Sequence, residues 1–190
     1  GGRVIDPEKK KEWKADVALD GQKIAAIGEI EDDGTYEQVI DAQGLVVAPG
    51  LVDVHVHFRD PGLTYKEDIQ TGAKASAAGG FTTVVCMANT KPPVDNVEIL
   101  QHVIAEGKKT GIHVLADATV SVGMKGETLV DMDALRAAGA AGFTDDGIPL
   151  MDGALVKAAM EKAKELNVPL SFHEEDPHFI KNNGINHGKV

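Results

Sequence analysis

The feature that most limits the fold is a regular alternation of strand and helix patterns from Pro49 onward. Segments with helical periodicity or helix caps separate runs that are rich in β-branched residues. Five runs are predicted strands: 50–58, 81–88, 112–119, 140–146 and 168–176. Strand–helix units repeated at this spacing are typical of a parallel α/β sheet.

The segments between these strands carry helix-start signals. Thr64 and Glu67 match a capping box, which would open a helix that runs to about Gly79. Aspartates precede the other three helical segments, whose predicted ends lie near residues 108, 138 and 166. These predicted N-caps are Asp95, Asp131 and Asp152.

Two parallel architectures fit this pattern. A doubly wound sheet that binds nucleotides has a glycine-rich turn after its first strand, but here that turn reads HFRDPG. A (β/α)8 TIM-type barrel gathers functional residues at the carboxyl ends of its strands. Polar residues occupy these ends here: His55, His57, Arg59, Asn89, Asp146 and His173. The sequence therefore favours the barrel.

The predicted barrel is incomplete. About five strand–helix units are present, whereas a whole barrel takes about 250 residues and this chain has 190. We therefore expect residues 49–190 to be the N-terminal portion of a barrel in a longer protein. Residues 1–48 read as short strands and turns, such as those at Asp20-Gly21 and Asp33-Gly34. They form a separate β-rich part that is too small to stand alone.

Charge and composition exclude several classes of partner. The net charge of −11 and the pI near 5.0 disfavour nucleic acid and anionic membranes, because both would repel the chain. We find no apolar run of about 20 residues, so no membrane span is expected. The start of the chain lacks the apolar core of a signal peptide. The presence of a single cysteine, Cys86, fits a reducing cytoplasmic setting. Cys86 is predicted to be a small buried residue.

Two histidines stand out in the first barrel strand. Alternate residues of a strand point to opposite faces, so His55 and His57 share one face and the intervening valines take the other. We expect the valines to face the helices and the imidazoles to face the barrel axis. Neutral imidazole is a good zinc ligand. His173 and Asp146 lie at other strand ends, and the four residues together predict a metal site.

The remaining histidines lack this context. His113 lies inside the third strand and is predicted to be a core or lining residue. His102, His178 and His187 are predicted to lie on the surface or in loops.

The motifs PGLVDVHVHFRDPG, MANTKPP, GFTDDG and SFHEED together resemble those of dihydroorotases of the amidohydrolase superfamily. The resemblance implies a (β/α)8 barrel beside a small β-sandwich, to which residues 1–48 would contribute. It also implies a zinc-dependent enzyme of pyrimidine synthesis, with one or two Zn²⁺ per subunit. Such enzymes interconvert N-carbamoyl-L-aspartate and L-dihydroorotate. A homodimer, and other enzymes of the pathway, are the implied partners.

The resemblance also assigns roles to residues. His55 and His57 would bind one metal, and His173 a second. Many relatives bridge two metals with a carboxylated lysine from the fourth strand. A bacterial subgroup uses an aspartate there, and Asp146 takes that position as ligand and catalytic residue. Asp145 is the alternative, because strand alternation lets only one of the pair face inward.

Two further residues match substrate-binding positions of this family. Arg59 would grip the substrate carboxylate through paired hydrogen bonds, and Asn89 would add an amide donor. Taken alone, Arg59 could instead pair with Asp60 on the surface, and Asn89 could be a turn residue. The family's further metal histidine and its general acid–base aspartate would lie beyond Val190, so the chain as given would be catalytically incomplete.

Two other functions remain open from the sequence. One is a hydantoinase or dihydropyrimidinase type of cyclic amidase, against which Arg59, Asn89 and the lysine-free fourth strand argue. The other is an inactive dihydroorotase-like subunit that serves as a structural partner. Retention of the predicted metal ligands argues against that alternative.

Overall fold

The computed structural model describes residues 1–180, so His187 lies outside the described residues. The chain divides into two compact units, Gly1–Gly50 and Leu51–Val190. In the described part, no helix has the length and apolar character needed to cross a membrane. We describe each unit by itself.

The first unit is a four-stranded sheet. Its strands are β1 (Gly2–Asp6), β2 (Lys11–Asp20), β3 (Lys23–Gly28) and β4 (Val46–Val47). They lie in the order β3-β2-β1-β4, with β2 antiparallel to both neighbours and β4 parallel to β1. Val4 and Ala15 are buried, whereas Leu19, Ile24 and Ile40 are exposed. The assignment of this unit to a β-sandwich stays a prediction.

The second unit has the α/β alternation that the sequence predicts. Its strands are β5 (Leu51–Val56), β6 (Phe81–Cys86), β7 (His113–Ala116), β8 (Phe143–Thr144) and β9 (Leu170–Ser171). β5, β6 and β7 form one parallel sheet, and β8 and β9 form another. A parallel bridge between Ala118 and Phe143 continues the pairing from the end of β7 to β8. The five strands therefore follow one another in sequence order.

Four helices connect these strands. They are α1 (Ile69–Ala78), α2 (Val97–Gly107), α3 (Met132–Ala138) and α4 (Gly153–Leu166). A short 3-10 helix, Val122–Met124, lies between β7 and α3. Each helix faces the core with small or aliphatic residues, among them Ala73, Leu100, Leu135 and Ala159.

The predicted start of α1 at Thr64 is wrong. The helix begins after Asp68, whose carboxylate accepts a hydrogen bond from the Thr71 backbone N–H at 2.8 Å. Thr64 lies in the turn before it, where the Lys66 N–H bonds to the Leu63 carbonyl at 2.9 Å. Asp68 and Thr71 form a capping box of their own, and they outcompete the Thr64 pattern.

The predicted cap of α2 is wrong by one residue. Asn96 is the N-cap and accepts a hydrogen bond from the Ile99 N–H at 3.1 Å. Asp95 is engaged elsewhere, because its carboxylate accepts a hydrogen bond from the Gly123 N–H at 2.9 Å. A long-range contact thus takes the residue that local pattern alone would use as the cap.

The predicted caps of α3 and α4 are confirmed. Asp131 caps α3 through the Ala134 N–H, and Asp152 caps α4 through the Ala154 and Leu155 N–H groups. Asn167 ends α4 in the left-handed conformation, with φ of 51°, which asparagine tolerates better than most residues.

The core lies between the helices and one face of the parallel strands. Cys86 is buried there, as predicted, and its burial raises the pKa of the thiol to about 12. Two helices pack closely on neighbouring residues at positions where only glycine leaves enough room. A Cβ at Gly107 would lie 2.8 Å from Val114 Cβ, and one at Gly72 would lie 2.3 Å from the Phe58 ring.

The exposed faces of β5 and β7 contradict one expectation about side-chain placement and part of another. Val52 and Val54 are 60% and 69% exposed rather than packed against helices. Among the described strands, β5 is an edge strand with β6 as its neighbour, and α1 packs against β6 and α2. His113 is exposed on the face of β7 opposite Val114 and Ala116, so it is not a core residue. Its other predicted place, in the lining of the barrel, stays a prediction.

Candidate metal centre

The candidate site lies at the carboxyl ends of three parallel strands. His55 is the next-to-last residue of strand β5, and His57 follows the strand directly. Asn89 follows β6, and Asp146 comes two residues after β8 ends. Carboxyl ends of parallel strands meet at one edge of a sheet, so residues 55, 57, 89 and 146 converge although up to 91 positions separate them.

His55, His57 and Asp146 form a compact cluster. One ligand atom from each lies within 4.8 Å of the others. His55 Nε2 is 3.4 Å from Asp146 Oδ1, and His57 Nε2 is 3.5 Å from Asp146 Oδ2. The two imidazole rings meet edge to face, with centroids 5.1 Å apart. Each carboxylate oxygen therefore faces a different imidazole.

Asn89 contacts two members of this cluster, His57 and Asp146. Its Oδ1 is 3.0 Å from His57 Nδ1. Its Nδ2 donates hydrogen bonds to Asp146 Oδ2 at 2.8 Å and to the Asp146 main-chain oxygen at 3.3 Å. These contacts differ from those of a turn residue. The substrate contact that the sequence predicts for Asn89 stays a prediction.

The two adjacent aspartates point to different surroundings. Asp145 is 2% exposed and accepts hydrogen bonds from the Val120 N–H at 2.7 Å and the Ser121 N–H at 3.1 Å. The Ser121 hydroxyl donates to it as well. Asp146 turns to the histidines instead. The sequence left the choice between them open, and the structure brings Asp146 to the cluster.

Arg59 lies in the loop after β5, close to the cluster in sequence but outside it. It is half-buried and left-handed, with φ of 60°. Within residues 1–180, no hydrogen bond or ion pair of its side chain is seen. Asp60, the alternative partner for Arg59, is 3.0 Å from His102 Nε2 on helix α2. The surface pair of Arg59 with Asp60 is therefore not formed.

His173 follows strand β9 and lies outside the cluster. Its Nε2 is 2.9 Å from Glu175 Oε2. Among the described residues, the metal-ligand geometry is met by His55, His57 and Asp146 without it. The second-metal role of His173 stays a prediction.

Sequence reasoning missed a buried carboxyl group next to the sheet. Asp117 follows β7 and is 6% exposed. Burial raises the pKa of Asp117 to about 7, and a hydrogen bond from the Gly142 backbone offsets part of that increase. The signal for it was an acidic residue at the end of a predicted strand, ADAT, of the kind that marked Asp146.

The donor set of the cluster fits a zinc ion. Zinc takes imidazole nitrogens and carboxylate oxygens at about 2.0–2.2 Å in a tetrahedral arrangement, which places two such ligand atoms roughly 3.3–3.5 Å apart. His55 Nε2 and His57 Nε2 lie 3.4 and 3.5 Å from the Asp146 carboxylate, each from a different oxygen, and both distances are close to that separation. His55, His57 and Asp146 are therefore the residues that would hold a metal.

Comparison with known proteins gives the family. The model of the dihydro-orotase-like family matches residues 44–189. A protein of Clostridioides difficile named dihydroorotase is 58% identical over 189 residues, covering 100% of this chain and 45% of that protein. The chain thus spans about 45% of the length of the curated relatives that it matches.

Solved structures support the fold. L-hydantoinase from Arthrobacter aurescens superposes with a TM-score of 0.73 at 21% identity, over 90% of this chain and 39% of its own. A zinc complex of atrazine chlorohydrolase from the same organism gives a TM-score of 0.60 at 22% identity, over 92% and 52% of the two chains. These likenesses show that the chain shares the fold of these two proteins over about nine-tenths of its length. Together with the family match, they establish that the chain belongs to the dihydro-orotase-like family.

Proposed function

We propose that the full-length protein containing this chain is a zinc-dependent dihydroorotase. It would interconvert N-carbamoyl-L-aspartate and L-dihydroorotate in pyrimidine synthesis. The observation that carries this proposal is the His55–His57–Asp146 cluster in a chain that is 58% identical to a protein named dihydroorotase. Identity to the hydantoinase is 21%, which supports a common fold and carries no information about substrate.

The cluster supplies the groups that the proposed chemistry needs. A zinc ion bound there would polarise the amide carbonyl and make hydroxide available near neutral pH. His55 and His57 would present their Nε2 lone pairs, and Asp146 would present its carboxylate. His173 remains the proposed ligand of a second zinc ion, so one or two ions per subunit fit the proposal. Asp146 would be both a ligand and a catalytic residue.

Substrate binding is proposed for Arg59. Its guanidinium can donate two parallel hydrogen bonds to a carboxylate, and dihydroorotate and carbamoyl aspartate both carry one. The left-handed backbone at Arg59 and its lack of a described side-chain partner leave the group available for this role. Asn89 is the second residue proposed to bind substrate, because the family resemblance assigns it there.

The proposal extends to the architecture of the longer protein. Residues 49–190 would be the N-terminal portion of a complete (β/α)8 barrel, and residues 1–48 would belong to a small β-sandwich. The sequential order of the five parallel strands supports the first assignment. A cytoplasmic homodimer, with small-molecule substrates and without nucleic acid or membrane partners, completes the proposal. The acidic composition supports the last part.

Substrate comparison tests the proposed function. The full-length protein would be loaded with zinc and assayed for hydrolysis of dihydroorotate, hydantoin and dihydrouracil. We expect kcat/KM for dihydroorotate to exceed the other two by at least about 100-fold, because Arg59 would bind a carboxylate that the others lack. Faster turnover of hydantoin or dihydrouracil would favour the cyclic amidase alternative. Absence of all three activities, in a protein that holds no zinc, would favour the inactive subunit.

A further inference from the structure

We propose that Asn89 is a positioning residue of the metal centre, which fixes the tautomer of His57 and the orientation of Asp146. This inference rests on the proposed zinc site. It adds a role for Asn89 to the substrate contact that the family resemblance implies. The basis is the set of three contacts that one half-buried carboxamide makes with two neighbouring ligands.

The hydrogen-bond partners of the Asn89 amide determine the direction in which it points. Its two N–H groups have two acceptors on Asp146, the side-chain Oδ2 at 2.8 Å and the main-chain oxygen at 3.3 Å. This arrangement directs Nδ2 at Asp146 and Oδ1 at His57. The opposite orientation would bring the amide oxygen against two oxygens of Asp146, which would repel it.

The second step concerns the proton of His57. Asn89 Oδ1 has lone pairs and no hydrogen, and it lies 3.0 Å from His57 Nδ1. The contact is a hydrogen bond only when Nδ1 carries the proton. A neutral imidazole has one N–H, so Nε2 then keeps its lone pair. Nε2 is the atom that faces Asp146, and a metal ligand needs that lone pair.

The third step concerns Asp146. Asn89 holds Oδ2, while Oδ1 of the same carboxylate faces His55 Nε2 at 3.4 Å. The carboxylate is therefore fixed in rotation with one oxygen towards each imidazole. One side chain on the loop after β6 thus orients ligands that come from two other strands. Partners of this kind behind metal ligands commonly contribute 10–100-fold to metal affinity.

The contacts also limit a direct substrate role. Both N–H groups of Asn89 already have acceptors on Asp146. To donate to a substrate carboxylate, Asn89 would have to give up one of these bonds. The two roles therefore predict different results when the side chain is changed.

The test compares zinc affinity in three forms of the full-length protein. They are the wild type, Asn89→Leu, and Thr90→Val as a matched control in the same loop. Thr90 donates its hydroxyl to the Pro92 carbonyl at 2.6 Å, and within residues 1–180 its side chain has no hydrogen bond to His55, His57 or Asp146. Competition with a chromophoric chelator gives the Kd for zinc. We expect Asn89→Leu to weaken zinc binding about 10–100-fold and Thr90→Val to leave it unchanged.

A spectroscopic measurement separates positioning from general damage. In metal-free protein labelled with 15N-histidine, the ring shifts of His57 report which nitrogen carries the proton. They would be assigned with a His57→Ala variant and read at a pH where the ring is neutral. We expect the Nδ1–H form in the wild type and its loss in Asn89→Leu. Asn89→Asp keeps an acceptor for Nδ1–H but replaces the Nδ2 donor by an oxygen, so it should retain that form while losing the hydrogen bonds to Asp146.

The outcomes distinguish the inference from the function on which it rests. Suppose that the wild-type protein binds zinc, and that Asn89→Leu changes neither the zinc affinity nor the ring chemical shifts of His57. That result would overturn the inference alone. A raised KM with normal zinc affinity in that variant would leave Asn89 with substrate binding alone and would overturn the positioning role. Wild-type protein that does not bind zinc through His57 would overturn both proposals.

Discussion

Asp117 places an ionisable group in the core with no part in the proposed metal site. Burial holds its pKa near 7, against 3.8 for an exposed aspartate. Below about pH 4 the carboxyl is protonated in both folded and unfolded chains. Between about pH 4 and 7 only the unfolded chain is ionised, so stability falls as pH rises and then levels off.

We predict that Asp117→Asn removes this pH-dependent loss of stability. A pKa increase of this size corresponds to about 4 kcal/mol, so the variant should gain stability at pH 8 and lose it, or gain nothing, at pH 4. Urea unfolding of the full-length protein and the variant at both pH values measures the difference. An equal effect at pH 4 and pH 8 would show that Asp117 does not titrate in this range.

Asp145 and Asp146 have divided roles in spite of their adjacency. Asp145 accepts hydrogen bonds from two backbone N–H groups of the loop after β7 and from the Ser121 hydroxyl. Removing it leaves those buried donors unpaired, which costs about 1–3 kcal/mol for each group. Asp146 accepts from Asn89 and faces the histidines.

We therefore predict opposite effects of two alanine substitutions. Asp145→Ala should lower the free energy of unfolding by about 2–4 kcal/mol, with zinc affinity reduced much less than in Asp146→Ala. Asp146→Ala should lose zinc with a smaller change in stability. Urea unfolding and zinc content of both variants give the comparison. A stable Asp145→Ala protein that lacks zinc would reverse the assignment.

Arg59 is predicted to serve substrate and not metal. Arg59→Ala should raise KM for dihydroorotate at least about tenfold, because a charge-assisted hydrogen bond to a carboxylate is worth about 1.5–3 kcal/mol. Zinc content should stay at the wild-type level, whereas His57→Ala should lose it. Steady-state kinetics and metal analysis measure both. Loss of zinc in Arg59→Ala with normal KM would contradict this division.

At the scale of elements, the loops that follow β5 and β6 are hydrogen-bonded to each other. The Lys91 N–H bonds to the Pro61 carbonyl at 3.1 Å, and Asp60 meets His102 on α2. Gly62 makes the approach possible, because it has φ of +85° and a Cβ there would lie 1.7 Å from the Lys91 carbonyl oxygen. This contact sets the position of the loop that carries Arg59.

Gly62→Ala should disturb that contact. We expect a loss of about 2 kcal/mol or more, from the left-handed backbone and the clash together, and a raised KM through the displaced Arg59. Gly111→Ala is the matched control, since Gly111 has no positive φ and nothing within 4 Å of its added Cβ. Thermal unfolding of both variants tests this. Equal melting temperatures would show that the two loops tolerate separation.

Sequence pattern predicted elements better than their ends. Asp131 and Asp152 cap helices as expected because their caps depend on the next few residues. Asp95 does not, because Gly123, distant in sequence, takes its carboxylate. The Thr64 pattern fails because Asp68 and Thr71 form a capping box closer to the periodic segment. Local rules thus held where neither a distant partner nor a second capping pattern nearby competed.

At the scale of the whole molecule, strand alternation and strand order account for much of the site. They predict that residues after successive parallel strands converge, and His55, His57 and Asp146 do so. They could not predict that Asn89 would contact His57 and Asp146, because such contacts depend on side-chain rotamers. They also misplaced Val52 and Val54, whose burial depends on what covers an edge strand.

The most direct test of the account is reversible loss of activity in the full-length protein. Dihydroorotate hydrolysis would be measured as purified, after chelation, and after zinc is restored, with His57→Ala beside the wild type. We expect wild-type activity to disappear on chelation and return with about one or two zinc ions per subunit, and His57→Ala to stay inactive. Full activity in chelated protein shown to be free of zinc would contradict the central claim.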